Sequence, residues 1–227
     1  MRFFFLIFCC FSHAFSSELL APEPVLRKLS DSTSLSLLVA GTVLTLSSQV
    51  YDNRIRDEWK NHQQMSDSAA SVGDLLGSGI ASALVVGTQF LYDPKEEHWK
   101  SHARTLIWET SLVIAMKYSF GRQRPGNSSS YQSFPSGHTA VAFATATNLT
   151  YSYGWRAAAL SFPLALFVGA SRWADDMHWG SDVVAGAFIG VIMARACSDS
   201  ETESLIAARL TPIISPEFSG LNYLYSF

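Results

Sequence analysis

Residues 159–194 read ALSFPLALFVGASRWADDMHWGSDVVAGAFIGVIMA. Two twelve-residue apolar runs, 159–170 and 183–194, flank a stretch holding an arginine, three aspartates and a histidine. Each run sits in a longer apolar segment, 155–171 and 180–197, too long for an ordinary strand. Ala, Leu, Gly and Met dominate there over β-branched residues, so both read as helices. Burying charge between them is expensive unless the charges are paired or employed. The fold is therefore a helical one with something to do at a helix junction.

Working outward, four more apolar segments appear at about 32–50, 69–92, 102–120 and 137–153, separated by short polar breaks. The expectation is an all-α bundle of about six core helices. Asp31 or Ser32 can cap the first and Gly154 closes the fourth. Gly186 and Gly190 give the last a small-residue face for close packing. YDNRIRDEWKNHQQMSD (51–67) and DPKEEHWK (93–100) read as polar connections. The tail, 207–227, alternates Leu221, Tyr223, Tyr225 and Phe227 with other residues and carries turn formers. That period predicts a short C-terminal β-hairpin capping the bundle.

Hydrophobic residues make up 48% of the 227-residue chain and charged residues 15%, below the roughly 25% of ordinary soluble domains. A net charge of −3 and the lack of any basic run give no sign of a nucleic-acid partner. Residues 32–51 and 75–92 are charge-free and long enough to be candidate membrane spans. Against full immersion, the first carries many Ser, Thr and Gln, and the mean hydropathy is only +0.15. The reading is a bundle attached to a membrane by some of its helices, with a soluble bundle as the alternative.

MRFFFLIFCCFSHAFSS begins with an arginine, then an apolar run from Phe3 to Phe11 and small residues at Ser12 and Ala14. It reads as a signal peptide (1–16), with an uncleaved anchor as the alternative, and predicts an exported, periplasmic or outer-face protein. The remaining domain plan is a polar lead (17–31), a helical domain (32–206) and a tail (207–227). Cys9 and Cys10 leave with the signal peptide, so Cys197 has no intrachain partner.

Three polar clusters interrupt the helices. In KYSFGRQRP (117–125), Lys117 ends a helix, Gly121 permits a turn, and Arg124 can be brought back beside the lysine. In FPSGHTA (134–140), Ser136 and Gly137 open a helix whose free N–H groups suit an anion, with His138 in its first turn. In SRWADDMHWGSD (171–182), His178 and Asp182 are four apart at the start of a helix near Met177. An aspartate on one imidazole nitrogen leaves the other free as a nucleophile, and Arg172 can reach across the loop. Alone, each cluster is an ordinary helix end. Together they supply a lysine and two arginines for phosphate oxygens, a helix N-terminus, and two histidines for attack and protonation.

These motifs, Lys117 with Arg124-Pro125, Pro135-Ser136-Gly137-His138, and Ser171-Arg172 with His178 and Asp182, resemble the three signatures of the type 2 phosphatidic acid phosphatase / vanadium haloperoxidase superfamily. The resemblance covers about 102–197. It implies an all-α fold and a phosphatase without metal or other cofactor. It also implies His178 as the nucleophile that becomes a phosphohistidine, Asp182 as its orienting partner, and His138 as general acid, then base. Lys117, Arg124, Arg172, Ser136 and the Gly137 N–H would hold the phosphoryl oxygens. The expected substrate is a lipid phosphate monoester or diphosphate at a membrane. Alternatives are a soluble acid phosphatase on small phosphate esters, a lipid-carrier phosphotransferase, and, least, a vanadium-dependent haloperoxidase. Nothing bears on oligomeric state.

Other polar residues read as bystanders. Asp175 and Asp176 read as loop solvation or contacts to a substrate head group. His98 and His102 are spaced for zinc but lack a third ligand. Glu109 is a buried hydrogen-bonding group or a support for the site, and Trp173 and Trp179 are packing, interfacial anchors or a lipid wall. The sequons at Asn127 and Asn148 carry no weight by themselves.

Overall fold

The computed structural model describes residues 21–126 and 128–198, together with the backbone of 210–214 and 219–223. The expected signal peptide and the sequon at Asn127 lie outside the described residues. The helices are α1 (Pro22–Leu29), α2 (Ser32–Gln49), α3 (Asp52–His62), α4 (Asp67–Gly77), α5 (Ile80–Tyr92), α6 (Glu96–Phe120), α7 (Gly137–Tyr153), α8 (Trp155–Ala174) and α9 (Gly180–Cys197). The fold class rests on the helices, which make an all-α bundle.

Helix α9 is the axis, packed against α7, α2, α6 and α1. Its small residues permit this. A Cβ at Gly190 would overlap the Ala140 carbonyl oxygen of α7, and one at Gly186 would lie 2.5 Å from the Ser136 carbonyl. The facing positions Ala140 and Ala144 are fully buried, so the helices meet backbone to backbone. Helix α8 folds back on α7 at Gly154, whose φ of 78° suits glycine, and its N–H closes α7 on the Thr150 carbonyl at 2.8 Å. At the start of α2, the Asp31 side chain accepts from the Ser34 N–H at 2.8 Å, as a cap should.

Four expectations need correction. The polar connection 51–67 is largely helix α3, because its buried Asp52 and half-buried Arg56 are held by residues of the opposite half of the chain. The single helix expected over 69–92 is two, broken at Gly79 (φ 80°) with the axes bent by 49°. Helix α6 begins at Glu96 rather than at 102, absorbing most of the second connection. Lastly, Pro22 opens a helix inside the expected lead, where Val25 is buried.

Among the described residues two helices, α8 and α9, are long and apolar enough to cross a membrane, and up to four spans result if each bent pair (α1 with α2, α4 with α5) counts as one. The outward faces fit such a setting. Val39 and Leu46 on α2, Leu84 and Leu91 on α5, and Leu160 and Leu166 on α8 are all largely exposed.

Candidate active site

The site forms where α6 and α8 end and α7 and α9 begin. Gly121, at φ 52°, turns the chain out of α6, with its N–H on the Lys117 carbonyl at 3.1 Å. The following loop is tied down by backbone bonds: Arg124 N–H to Ser130 O at 3.0 Å, Ser133 N–H to Arg122 O at 2.9 Å, and Ser136 N–H to Asp182 O at 3.0 Å. That last bond joins the head of α7 to the first turn of α9. All three polar clusters of the sequence therefore share one end of the bundle.

Lys117 Nζ donates to the carbonyls of Gln132 and Pro135, each at 2.8 Å, which places it beside the head of α7. Burial, with the Arg124 charge next, pushes its pKa down to about 8. Arg124 gives Nη1 to the Met177 sulfur at 3.0 Å, and its buried Nε has no hydrogen-bond partner among the described residues. Burial and the nearby Arg172 lower its pKa as well. Arg172 is 1% exposed and held at 2.6 Å by Asp74 and 2.9 Å by Asp175. Three cations gathered in so little water call for an anion between them. Ser136 is buried too, its Oγ paired with Thr139 Oγ1 at 2.9 Å instead of capping the helix backbone.

The two histidines differ. His138 stands in the first turn of α7 with its side chain 32% exposed and its Nε2 3.2 Å from Asp74 Oδ1. Its pKa is lowered, chiefly by burial and then by Arg172, with Asp74 opposing. His178 is 5% exposed and lies in the turn just before α9, which starts at Gly180 rather than near Met177. Burial pushes its pKa down to about 4 against the pull of Asp182, so the imidazole is neutral at ordinary pH.

Asp182 faces His178, but Nδ1 to Oδ2 is 3.6 Å, too long for a hydrogen bond. That carboxylate is busy elsewhere. Its Oδ2 accepts from the Trp179 N–H at 2.9 Å and from Ser133 Oγ at 2.5 Å, while Oδ1 accepts from Arg122 Nη1 at 2.6 Å. Arg122 also binds Asp52 at 2.7 Å, and Asp52 in turn accepts from the Ser181 N–H at 2.8 Å. Sequence reasoning missed Arg122, Asp52, Asp74 and Ser133. Arg122 lies inside the KYSFGRQRP stretch, whereas Asp74 is a lone acid just before a charge-free run.

Asp175 holds Arg172, and Asp176 binds Arg56 at 2.7 and 2.9 Å, so neither is mere loop solvation. His102 is fully buried between Gln89 (2.9 Å) and Thr145 (3.2 Å), and His98 pairs with Asp93 at 2.7 Å. Among the described residues no cluster of three or more His, Cys, Asp or Glu is spaced for a metal. Glu109 is fully buried, and among the described residues only Thr110 donates to its carboxylate, at 3.2 Å. Trp173 packs edge-on to Trp59, and Trp179 lies under Arg122 while donating Nε1 to the Gln123 carbonyl at 2.9 Å. Asn148 is buried, its Nδ2 on the Ala144 carbonyl at 3.0 Å, which leaves no room for a glycan.

The chain is similar to known proteins over its second half. The PAP2 superfamily model matches residues 101–204. Over 113 residues the chain is 45% identical to a lipid A 1-phosphatase of Porphyromonas gingivalis, covering 47% of this chain and 25% of that protein. The aligned stretch is thus about a quarter of that relative's length. The crystal structure of Aquifex aeolicus LpxE superposes with a TM-score of 0.56 at 27% identity, covering 63% of this chain and 92% of that one. A transmembrane PAP2 type phosphatidylglycerolphosphate phosphatase from Bacillus subtilis gives a TM-score of 0.56 over 70% of this chain and 90% of its own, and at 18% identity speaks to the fold alone.

Proposed function

We propose, on the match of residues 101–204 to the PAP2 superfamily model, that the chain is a lipid phosphatase working through a phosphohistidine. The carrying observation is the convergence of Lys117, Arg124 and Arg172 on a neutral buried histidine, His178, and a half-exposed one, His138. The three cations, Ser136 and the Gly137 N–H hold the phosphoryl oxygens and neutralise the charge that grows in the transition state. His178 attacks phosphorus, the bond from phosphorus to the ester oxygen breaks, and its electron pair takes a proton from His138. Water then attacks the phosphohistidine while His138 accepts the water's proton. Inorganic phosphate leaves and His178 is restored. Asp182, anchored by Arg122, Ser133 and Trp179, supplies the negative charge behind His178. The protein's own cations supply the charge neutralisation a metal would, so the scheme needs none.

A lipid substrate is supported by the apolar outer faces and the candidate spans, and by relatives whose names denote lipid phosphatases. With this reading go the export signal at 1–16, the domain plan of a helical phosphatase domain over 32–206, and a capping role for the tail. An outward-facing site goes with that export signal.

The test is phosphate release by the full chain in detergent with EDTA present, on phosphatidic acid in mixed micelles and on a small aryl phosphate, with vanadate as inhibitor. Strong preference for the lipid is expected. Turnover of the small ester alone would make it an acid phosphatase, and phosphate appearing on an acceptor would make it a transferase.

A further inference from the structure

The family match begins at residue 101, yet α4, ending at Gly77, presses directly on the site. Its sequence DSAASVGDLLG explains how. A Cβ at Gly73 would overlap the Ser171 hydroxyl, and one at Gly77 would lie 2.7 Å from the His138 Cβ. Positions 73, 74 and 77 share one helix face, so the two glycines let the backbone approach and Asp74 is delivered between them. One oxygen, Asp74 Oδ1, then lies 2.6 Å from Arg172 Nη1 and 3.2 Å from His138 Nε2.

We infer that Asp74 is a positioning residue that keeps the proton on His138 and aims that imidazole at the leaving oxygen. The inference rests on the reading of His138 as general acid. The charged groups facing His138 are Arg172 from α8, Lys117 from α6, Arg124 from the loop and Asp74 from α4. Three are cations that drive the proton off, as burial does. Asp74 is the one that retains it. The carboxylate is half exposed, at 54%. Arg172 does not depend on it alone, because Asp175 holds the other guanidinium nitrogen at 2.9 Å.

The sign follows directly. A general acid works while protonated, so activity falls as pH rises through its pKa, and removing Asp74 lowers that pKa. In Asp74→Asn the alkaline limb of the pH–rate profile is expected to move to lower pH. On an alkyl phosphate kcat should fall about tenfold or more, less on an aryl phosphate, because proton donation matters most for poor leaving groups. KM should not rise. Asp74→Glu should restore much of the activity. The His138 imidazole, identified by 15N NMR as the signal lost in His138→Gln, should titrate at lower pH in Asp74→Asn than in wild type. An unmoved titration midpoint, equal losses on both esters, or faster turnover in Asp74→Asn (a carboxylate merely competing with phosphate) would each overturn the inference. The NMR midpoint is read without turnover. A wild-type protein that releases no phosphate would therefore sink the proposed function, while the midpoint still decides what Asp74 does.

Discussion

The helices before Asp93 and those after it contribute different things to the same site. Lys117, Arg124, Arg172, His138 and His178 all come from α6 to α9 and their connecting loops. The carboxylates that reach in from the other half, Asp52 and Asp74, stand at the start of α3 and on α4. The second half gathers the reactive groups and most of the positive charge. The first half returns negative charge to particular atoms of that cluster. Without such compensation, a buried Arg172 and a fully buried Asp182 network would be costly to assemble. The difference teaches that a site recognisable from one half of a chain can depend for its protonation and geometry on the other.

The largest effect should come from within the second half. His178→Ala removes the nucleophile, and phosphate release is expected to fall roughly a thousandfold or more, with the melting temperature little changed. Substantial residual turnover would dissolve the proposed division, since the reactive centre would then lie elsewhere.

The seam between the halves should respond next. Arg122 joins Asp182 to Asp52 with bonds of 2.6 and 2.7 Å, and its side chain is only 24% exposed. Arg122→Met leaves two buried carboxylates facing one another, Asp52 and Asp182 (6% and 0% exposed). A loss of about 3 kcal/mol is expected, the range for breaking a buried pair, visible as a fall in melting temperature of several degrees. Activity should drop with it. The double variant Arg122→Met, Asp52→Asn should recover part of the stability, and no recovery would mean the two halves are not coupled through this pair.

pH separates His178 from Lys117, with opposite effects on the two sides of neutrality. His178, pushed down to about 4 by burial, must be neutral to attack, so activity should be lost as pH falls through about 4. Its folded pKa lies below the usual imidazole value of about 6.5, so the unfolded chain takes up the proton first. The stability owed to the neutral buried ring is complete above about 6.5 and declines as pH drops toward 4. On the other side, Lys117, lowered to about 8, should lose charge and weaken ester binding as pH rises through that value. A rise in KM above about pH 8, absent in Lys117→Arg, would check it.

The legible parts of the molecule were those written locally. Helix periodicity and length gave α7, α8 and α9 almost to the residue, and the motif spacing placed Lys117, His138, Arg172 and His178 at one end of the bundle. What was hidden depended on tertiary partners. Residues 52–62 look like a solvated connector because their apolar content is low, and only the bonds of Asp52 and Arg56 across the fold explain the helix. The break at Ser78-Gly79 was obscured by a continuous apolar composition, although Gly79 was its signal. Asp74, a single acid in an apolar stretch, was legible in principle. Such a charge is seldom tolerated without employment.

The smallest effect belongs to a third contact between the halves, and it is the sharpest gauge of how far their coupling extends. Asp176 sits at φ 53° in the turn that leads from α8 to His178, bound by Arg56 at 2.7 Å and by Lys60 at 3.2 Å. The hydrogen bond from Arg56 holds the Asp176 carboxyl below its usual pKa. The contact therefore stabilises the fold above the ordinary carboxylate range and is lost as pH falls through the lowered value. Lys60 is half exposed and Arg56 is 26% exposed, so solvent screening keeps the contribution to about 1 kcal/mol or less. Arg56→Gln should lower the melting temperature by only a few degrees and leave kcat within about twofold at pH 7, because Lys60 still faces the carboxylate and the Met177 N–H remains on the Arg172 carbonyl at 3.1 Å. A tenfold loss of kcat instead would mean that the turn carrying His178 is held in place by α3, and that the first half sets the position of the nucleophile as well as the charge around it.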